Sequence, residues 1–169
     1  MQTEEESTLS AKTPGDDRMT DLLIMTCSKA KRKLQNSPAI DVYNGTRFKM
    51  IRKRRPDDLR ILIVSAKYGL IEPDTEISWY DQIMTRERAL ELMDSVSSGI
   101  TRVLRSRQFE SIYLDLSGPY LLTLDLSTAG LIIFSVGESG IFHYAQGTRG
   151  ARLHQLKEWL GSLKQEALK

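Results

Sequence analysis

The chain has 169 residues, 40% of them hydrophobic and 27% charged, with a formal net charge of +2. That length suits one domain of ordinary size, and the apolar share supports a core with covered sheet faces, which excludes a disordered chain. A single cysteine excludes an intrachain disulfide framework, and no run of eighteen apolar residues offers a transmembrane helix. The acidic N-terminus lacks the apolar core of a secretory signal, so a cytoplasmic setting without membrane contact is expected.

Residues 1–19 are polar and aperiodic, and are expected to form a disordered acidic tail ahead of a single α/β domain over residues 20–169. Within the first seventeen residues Glu4, Glu5, Glu6, Asp16 and Asp17 face Lys12 alone, so the rest of the chain carries a basic surplus larger than the formal +2. Such a surplus is compatible with phosphate-bearing partners. Leu22–Thr26 reads as the first buried strand. Ala39, Val42 and Tyr43, followed by Phe48 and Ile51, predict a helix broken near Gly45. Ile61–Ser65 reads as the second strand. Thr85 can cap a long helix with Leu90, Met93, Val96, Ile100, Val103 and Leu104 at helical spacing. Ile112–Leu116 is the third strand, and Pro119 suits the first turn of a helix carrying Tyr120, Leu121 and Leu124. Leu131–Val136 reads as the fourth strand, paired through Gly137–Gly140 with a short fifth strand at Ile141–Tyr144. Thr148 can cap a last helix with Leu153, Leu156, Trp159, Leu160 and Leu163 on one side. The strand runs are apolar on both faces, as parallel strands covered by helices are. The expected fold is a three-layer α/β sandwich around a mostly parallel sheet of four to five strands.

In such sheets ligands gather beyond the carboxyl ends of the strands. The first exit holds Cys27, Ser28, Lys29 and Lys31, and the second Ser65, Lys67, Tyr68 and Gly69, then Asp74, Trp79, Tyr80 and Asp81. The third holds Ser117, Gly118 and Tyr120, and Gly137–Gly140 is taken as the fourth. Hydroxyls, lysines and tyrosines dominate, which is unusual for loops that only turn a corner.

The strings CSKAK at 27–31 and SAKYGLIEPDTEISWYDQIM at 65–84 resemble the YaaA-like family of peroxide-stress and uncharacterised proteins. Lys31, Tyr68, Gly69, Pro73, Asp74, Tyr80 and Asp81 occupy the matching places. Pro38, Ala39, Asp41 and Tyr43, and Gly118 with Tyr120, fit its shorter single-domain branch, and the resemblance spans roughly residues 22–160. The first string is also similar to the lysine motif of the archaeosine-synthase domain, which puts Lys31 rather than Lys29 in the reactive position. The resemblance implies a link to oxidative stress, nucleic acid and base modification, without implying a particular reaction.

Each candidate has a plain reading beside the functional one. Lys31 is either a solvated charge or an amine whose pKa is lowered by Lys29, Arg32 and Lys33, able to attack a carbonyl, amidine or sugar carbon. Cys27 is a small core residue at a strand end, or a thiol facing a cationic loop. Tyr68 and Tyr80 either pack with one wet edge or stack on a base, with Asp81 as acceptor or general base. Arg47, Lys49, Arg52, Lys53, Arg54 and Arg55 form a solvated helix face or a track for a phosphate backbone. Gly147–Gly150 opens a helix that can hold an anion. His143 and His154 lack metal-ligand spacing, and neither a metal nor a cofactor is expected.

The expected function is nucleobase- or nucleotide-directed. Lys31 and Asp81 would be catalytic, and Cys27, Ser28, Ser65, Lys67, Tyr68, Gly69, Asp74, Tyr80, Ser117, Gly118 and Tyr120 would bind substrate. In its catalytic form this is a transferase, lyase or hydrolase acting on a base in DNA or RNA, or on a free nucleotide. The alternative is a non-catalytic nucleic-acid-binding or oxidative-stress module using the basic helix at 47–55.

Overall fold

The structure of the protein, a computed structural model, describes residues 20–166, so the tail expected over residues 1–19 lies outside the described residues. The elements are β1 (Thr20–Thr26), β2 (Ser37–Pro38), α1 (Ala39–Val42), α2 (Thr46–Arg54), β3 (Arg60–Ser65), β4 (Gly69–Ile71) and β5 (Glu76–Ile77). They continue with α3 (Arg86–Ser106), β6 (Phe109–Asp115), a 3-10 turn (Gly118–Thr123), α4 (Leu126–Phe134), β7 (Val136–Tyr144) and α5 (Arg149–Glu166). Five strands form one sheet in the order β4-β3-β1-β6-β7, parallel except for β4, and β2 pairs with β5 in a separate ribbon. This is the expected α/β sandwich with a mostly parallel central sheet.

The strands are apolar on both faces because each face meets its own core. Leu23, Met25, Ile61, Ile63 and Tyr113 pack on one side with Phe48 and Ile51 of α2 and with Leu156, Trp159 and Leu160 of α5. Leu22, Ile24, Leu62, Val64, Ile112 and Leu114 pack on the other with α3 and with Ile132 of α4. Truncating a buried aromatic such as Trp159 would cost about 3–5 kcal/mol.

Local chemistry sets the boundaries. The Thr85 hydroxyl accepts from the Arg88 amide at 3.1 Å and starts α3, and Thr148 receives the Ala151 amide at 3.3 Å at the head of α5. The expected helical break holds: α1 ends at Val42, and α2 begins after Gly45. A β-carbon on Gly45 would sit 2.4 Å from the Ser28 hydroxyl, so the first exit loop packs directly on bare backbone there.

Four expectations are corrected. Leu131–Val136 is not a strand: Leu126–Phe134 is helical, capped by Asp125, whose carboxylate accepts the Thr128 amide at 2.6 Å. A short apolar run leaves helix and strand ambiguous, and the cap decides it. The strand is β7, which pairs parallel with β6, so Gly137–Gly140 lies inside it and forms no hairpin turn. On α3 the buried stripe runs through Ala89, Leu92, Val96 and Ile100, while Leu90 is exposed. The third strand starts earlier than expected, at Phe109, and ends at Asp115.

Gly69 turns the chain from β3 into β4 with φ +71°, while a β-carbon there would meet only ordinary contacts, the nearest at 3.6 Å. Gly69→Ala should therefore destabilise by about 1–2 kcal/mol through backbone strain alone. A lower urea midpoint with an unchanged slope is the expected result.

Candidate functional site

The sheet registers align the strand ends. Thr26 lies opposite Val64, Met25 opposite Asp115, and Leu114 opposite Tyr144, so the four parallel strands finish on one edge. Their exits begin at Cys27, Ala66, Leu116 and Ala145. Ala145–Thr148, leading into α5, therefore takes the place expected for Gly137–Gly140.

Three hydroxyls from three segments meet at this edge. The Tyr80 and Tyr43 hydroxyls lie 2.8 Å apart, and the Ser65 hydroxyl is 2.9 Å from Tyr80 and 3.2 Å from Tyr43. Ser65 also accepts the amides of Lys67 at 3.3 Å and Tyr68 at 3.1 Å, which shapes the second exit. Arg88 holds the same loop from outside through the carbonyls of Ala66 and Lys67, both at 2.9 Å. The Tyr68 hydroxyl bridges the carbonyl and amide of Ser78 at 3.2 and 3.3 Å, tying that exit to the segment carrying Trp79, Tyr80 and Asp81. The Cys27 thiol and the Tyr120 hydroxyl pair at 3.2 Å.

Lys31 is fixed by backbone. Its neighbours zip onto the segment after α1, with Arg32 N–H to Val42 O and Asn44 N–H to Ala30 O, both at 2.8 Å. Its ammonium lies 4.2 Å from the centre of the Tyr80 ring. Two similar pairs flank it: Lys67 is 5.3 Å from the Tyr68 ring, and Lys33 is 5.7 Å from the Trp79 ring. Burial lowers the pKa of Lys31, opposed by Cys27 and Asp81. The cause is thus desolvation, rather than the repulsion from Lys29, Arg32 and Lys33 expected above.

A second cluster adjoins the first. Asp115, at the end of β6, has a fully buried side chain. It accepts both Arg47 and Arg152: Arg152 donates Nε at 3.1 Å and also Nη2, while Arg47 donates one nitrogen to it and another to Thr26 Oγ1 at 2.8 Å.

Most of the anticipated binding residues converge. Cys27, Ser28, Lys31, Ser65, Lys67, Tyr68, Gly69, Tyr80, Asp81, Ser117, Gly118 and Tyr120 all lie on or beside the edge. Asp74 does not. It is exposed in the turn after β4, beyond Glu72, which pairs with Arg60 at the opposite end of β3 at 2.8 Å. Tyr80 is only 5% exposed with Lys31 over its ring, so the wall open to a ligand is formed by Tyr68 and Trp79, the latter 39% exposed. The basic run is also divided. Arg47 is committed to Asp115 and Thr26, and Arg52 donates to the carbonyls of Ile40 and Tyr43 and to Asn44. Lys49, Lys53, Arg54 and Arg55 stay exposed.

Family comparison covers most of this edge. A family of unknown function, DUF6884, matches residues 22–116, from β1 to just past β6. The chain belongs to this family. The matched stretch carries Lys31, Tyr43, Arg47, Ser65, Tyr68, Tyr80 and Asp115, and stops before Tyr120 and Arg152. No curated protein matches. The crystal structure of AF0587, a protein of unknown function, is similar at 12% identity and a TM-score of 0.48, over 84% of this chain and 44% of that one. The chain thus spans less than half the length of AF0587.

Sequence reasoning placed Trp79 in the second exit without giving it a role or pairing it with Lys33, and passed over Tyr43 as a polar group and the Asp115–Arg152 pair. Asp115 had a signal: a lone carboxylate ending an apolar strand needs a buried partner. Arg152 had none, because its partner lies 37 positions away.

The buried phenols make this edge sensitive to alkali. Burial raises Tyr113 to about 12, and pushes Tyr43, Tyr80 and Tyr120 further above the ordinary value near 10. The folded chain holds these protons more tightly than the unfolded chain, so stability that is complete below about pH 10 should fall as the pH rises past it. Tyrosinate absorbance should show four of the six tyrosines titrating late. A single transition of all six near pH 10 in the folded protein would contradict this.

Proposed function

We propose that this edge binds a nucleobase, presented by a single strand of nucleic acid or by a free nucleotide. The observation that carries the reading is the row of three lysine–aromatic pairs: Lys33 with Trp79, Lys31 with Tyr80, and Lys67 with Tyr68. Aromatic faces interleaved with cations suit a base and its backbone, since every base offers a π-face and every nucleotide a negative charge. In the catalytic form of this reading, the Lys31 amine, deprotonated more readily through burial, displaces the base from the sugar C1′ carbon. The C1′–N bond breaks as the lysine bond forms, Asp81 relays the amine proton to the departing base, and opening of the sugar ring at its oxygen leaves an imine on Lys31. The single cysteine is compatible with a reducing cytoplasmic setting. The YaaA-like resemblance and its link to oxidative stress belong to this proposal.

A second reading, a non-catalytic nucleic-acid or stress module, rests on the exposed Lys49, Lys53, Arg54 and Arg55. The middle and end of α2 lead away from the site edge, so the two readings separate by mutation.

Trp79 fluorescence distinguishes them, because the second tryptophan, Trp159, is 4% exposed. A short single-stranded oligonucleotide should quench Trp79, and Trp79→Ala should weaken binding by about 1–3 kcal/mol, with Lys31→Ala also weakening it. Charge reversal at Lys53 and Arg54 that abolishes binding, while both edge variants bind normally, selects the second reading. Borohydride trapping on base-modified DNA or RNA tests the covalent step. An adduct lost in Lys31→Ala supports it, and no adduct from the unsubstituted protein removes it while leaving base binding intact.

A further inference from the structure

Asp115 carries more positive charge than it needs. It is the one charged side chain fully buried among the described residues, and a carboxylate in that position requires a cation to offset its lost hydration. One guanidinium would suffice. Two are present, brought from different helices, and the cluster keeps a net positive charge at the edge of the sheet.

The geometry leaves part of each arginine unused. Arg152 donates Nε and Nη2 to Asp115, and its Nη1 has no partner among the described residues. Arg47 donates both terminal nitrogens, to Asp115 and Thr26, which leaves its Nε in the same condition. The two side chains are 28% and 14% exposed, so solvent reaches them. Asp115 fixes their planes as a positioning residue, and orientation of this kind lets a guanidinium meet an oxyanion without further ordering cost.

The surroundings add to this. Arg47 is the second residue of α2, whose N-cap, Gly45, supplies no side-chain hydrogen bond, and Arg152 lies in the first turn of α5. Both helix dipoles therefore present their positive ends beside the arginines. Ser28 packs against Gly45, and Arg47 acts electrostatically on Tyr120, the partner of Cys27. The cluster thus shares a wall with the Lys31 site.

We propose that Arg47 and Arg152, splayed on Asp115, form a seat for a phosphate-type oxyanion at the carboxyl edge of β1 and β6. The seat rests on the base-binding reading only for what the phosphate is attached to. A monoester would come from a free nucleotide, and a diester from a strand whose base lies over Lys31.

The test uses the full chain and inorganic phosphate. Melting temperature should rise with phosphate, but not with chloride at equal ionic strength, as mass action requires. Arg152→Gln and Arg47→Gln should each weaken phosphate binding at least about tenfold, a loss of about 1.4 kcal/mol. Arg105→Gln, an exposed position on α3 across the sheet, should leave it unchanged. Oligonucleotide quenching of Trp79 reads the base site separately, so failure of the seat and failure of the base reading are distinguishable. Should either glutamine variant not fold, phenylglyoxal labelling of the unsubstituted protein serves: phosphate should protect Arg47 and Arg152 and spare Arg54. Phosphate acting no better than chloride, arginine variants that bind it normally, or no protection in the labelling would each overturn the seat. A nucleoside monophosphate binding more tightly than a dinucleoside phosphate assigns the seat to a monoester, and the reverse order to a strand.

Discussion

Three hydroxyls, those of Ser65, Tyr43 and Tyr80, have to satisfy one another where the sheet's core ends. All three residues are buried, and a buried hydroxyl without a partner costs about 1–3 kcal/mol. Each comes from a different segment: the end of β3, the residue after α1, and the stretch after β5. Meeting the polar requirement of one therefore fixes the position of all three. Lys31 inherits that order twice, through its backbone bridge to Tyr43 and through the Tyr80 ring beneath its ammonium. The site is thus built on packed elements and not on free loops, which favours a preorganised cation over a mobile one.

Charge along the edge follows from the same economy of partners. Lys31, Lys33 and Lys67 face rings, and Arg47 and Arg152 face one carboxylate. Anionic groups on this side are few, with Asp115 enclosed and Asp81 exposed. Buried ion pairs contribute little net stability once desolvation is counted, so the Arg47–Asp115–Arg152 group is better understood as an orienting device than as a staple. An edge that is cationic, ringed by aromatics and rich in hydroxyls has the composition expected of a surface for phosphorylated rings.

Much of this was legible in the residues. The doubly apolar strands gave the layered fold, Thr85 and Thr148 marked the helix starts, and Gly45 marked the break. The first three exits were correctly placed because strand ends in a parallel sheet must share an edge. The fourth was missed because nine apolar-rich residues at Leu126–Phe134 read equally as strand or helix, and only the Asp125 cap separates them. Asp74 lay within a segment that otherwise returns to the edge, but the antiparallel β4 carries it to the far end first. The basic run looked uniform in sequence, whereas Arg47 is oriented by Asp115 and Thr26, and Arg52 by backbone carbonyls and Asn44, partners that spacing cannot reveal. Similarly, the effect on Lys31 was anticipated in direction and misattributed in cause, since burial is a property of the folded chain.

The account turns on Lys31 and the Tyr68–Tyr80 aromatics acting as one ligand-facing surface. Reductive methylation with carbon-13 labels gives each lysine its own resonance, and a titration with a short single-stranded oligonucleotide reads them together. The account predicts a Lys31 signal already displaced by the Tyr80 ring, which shifts on titration along with Lys33 and Lys67 while Lys49 and Lys53 stay still. Movement confined to Lys49 and Lys53, with Lys31 silent and undisplaced, would contradict it.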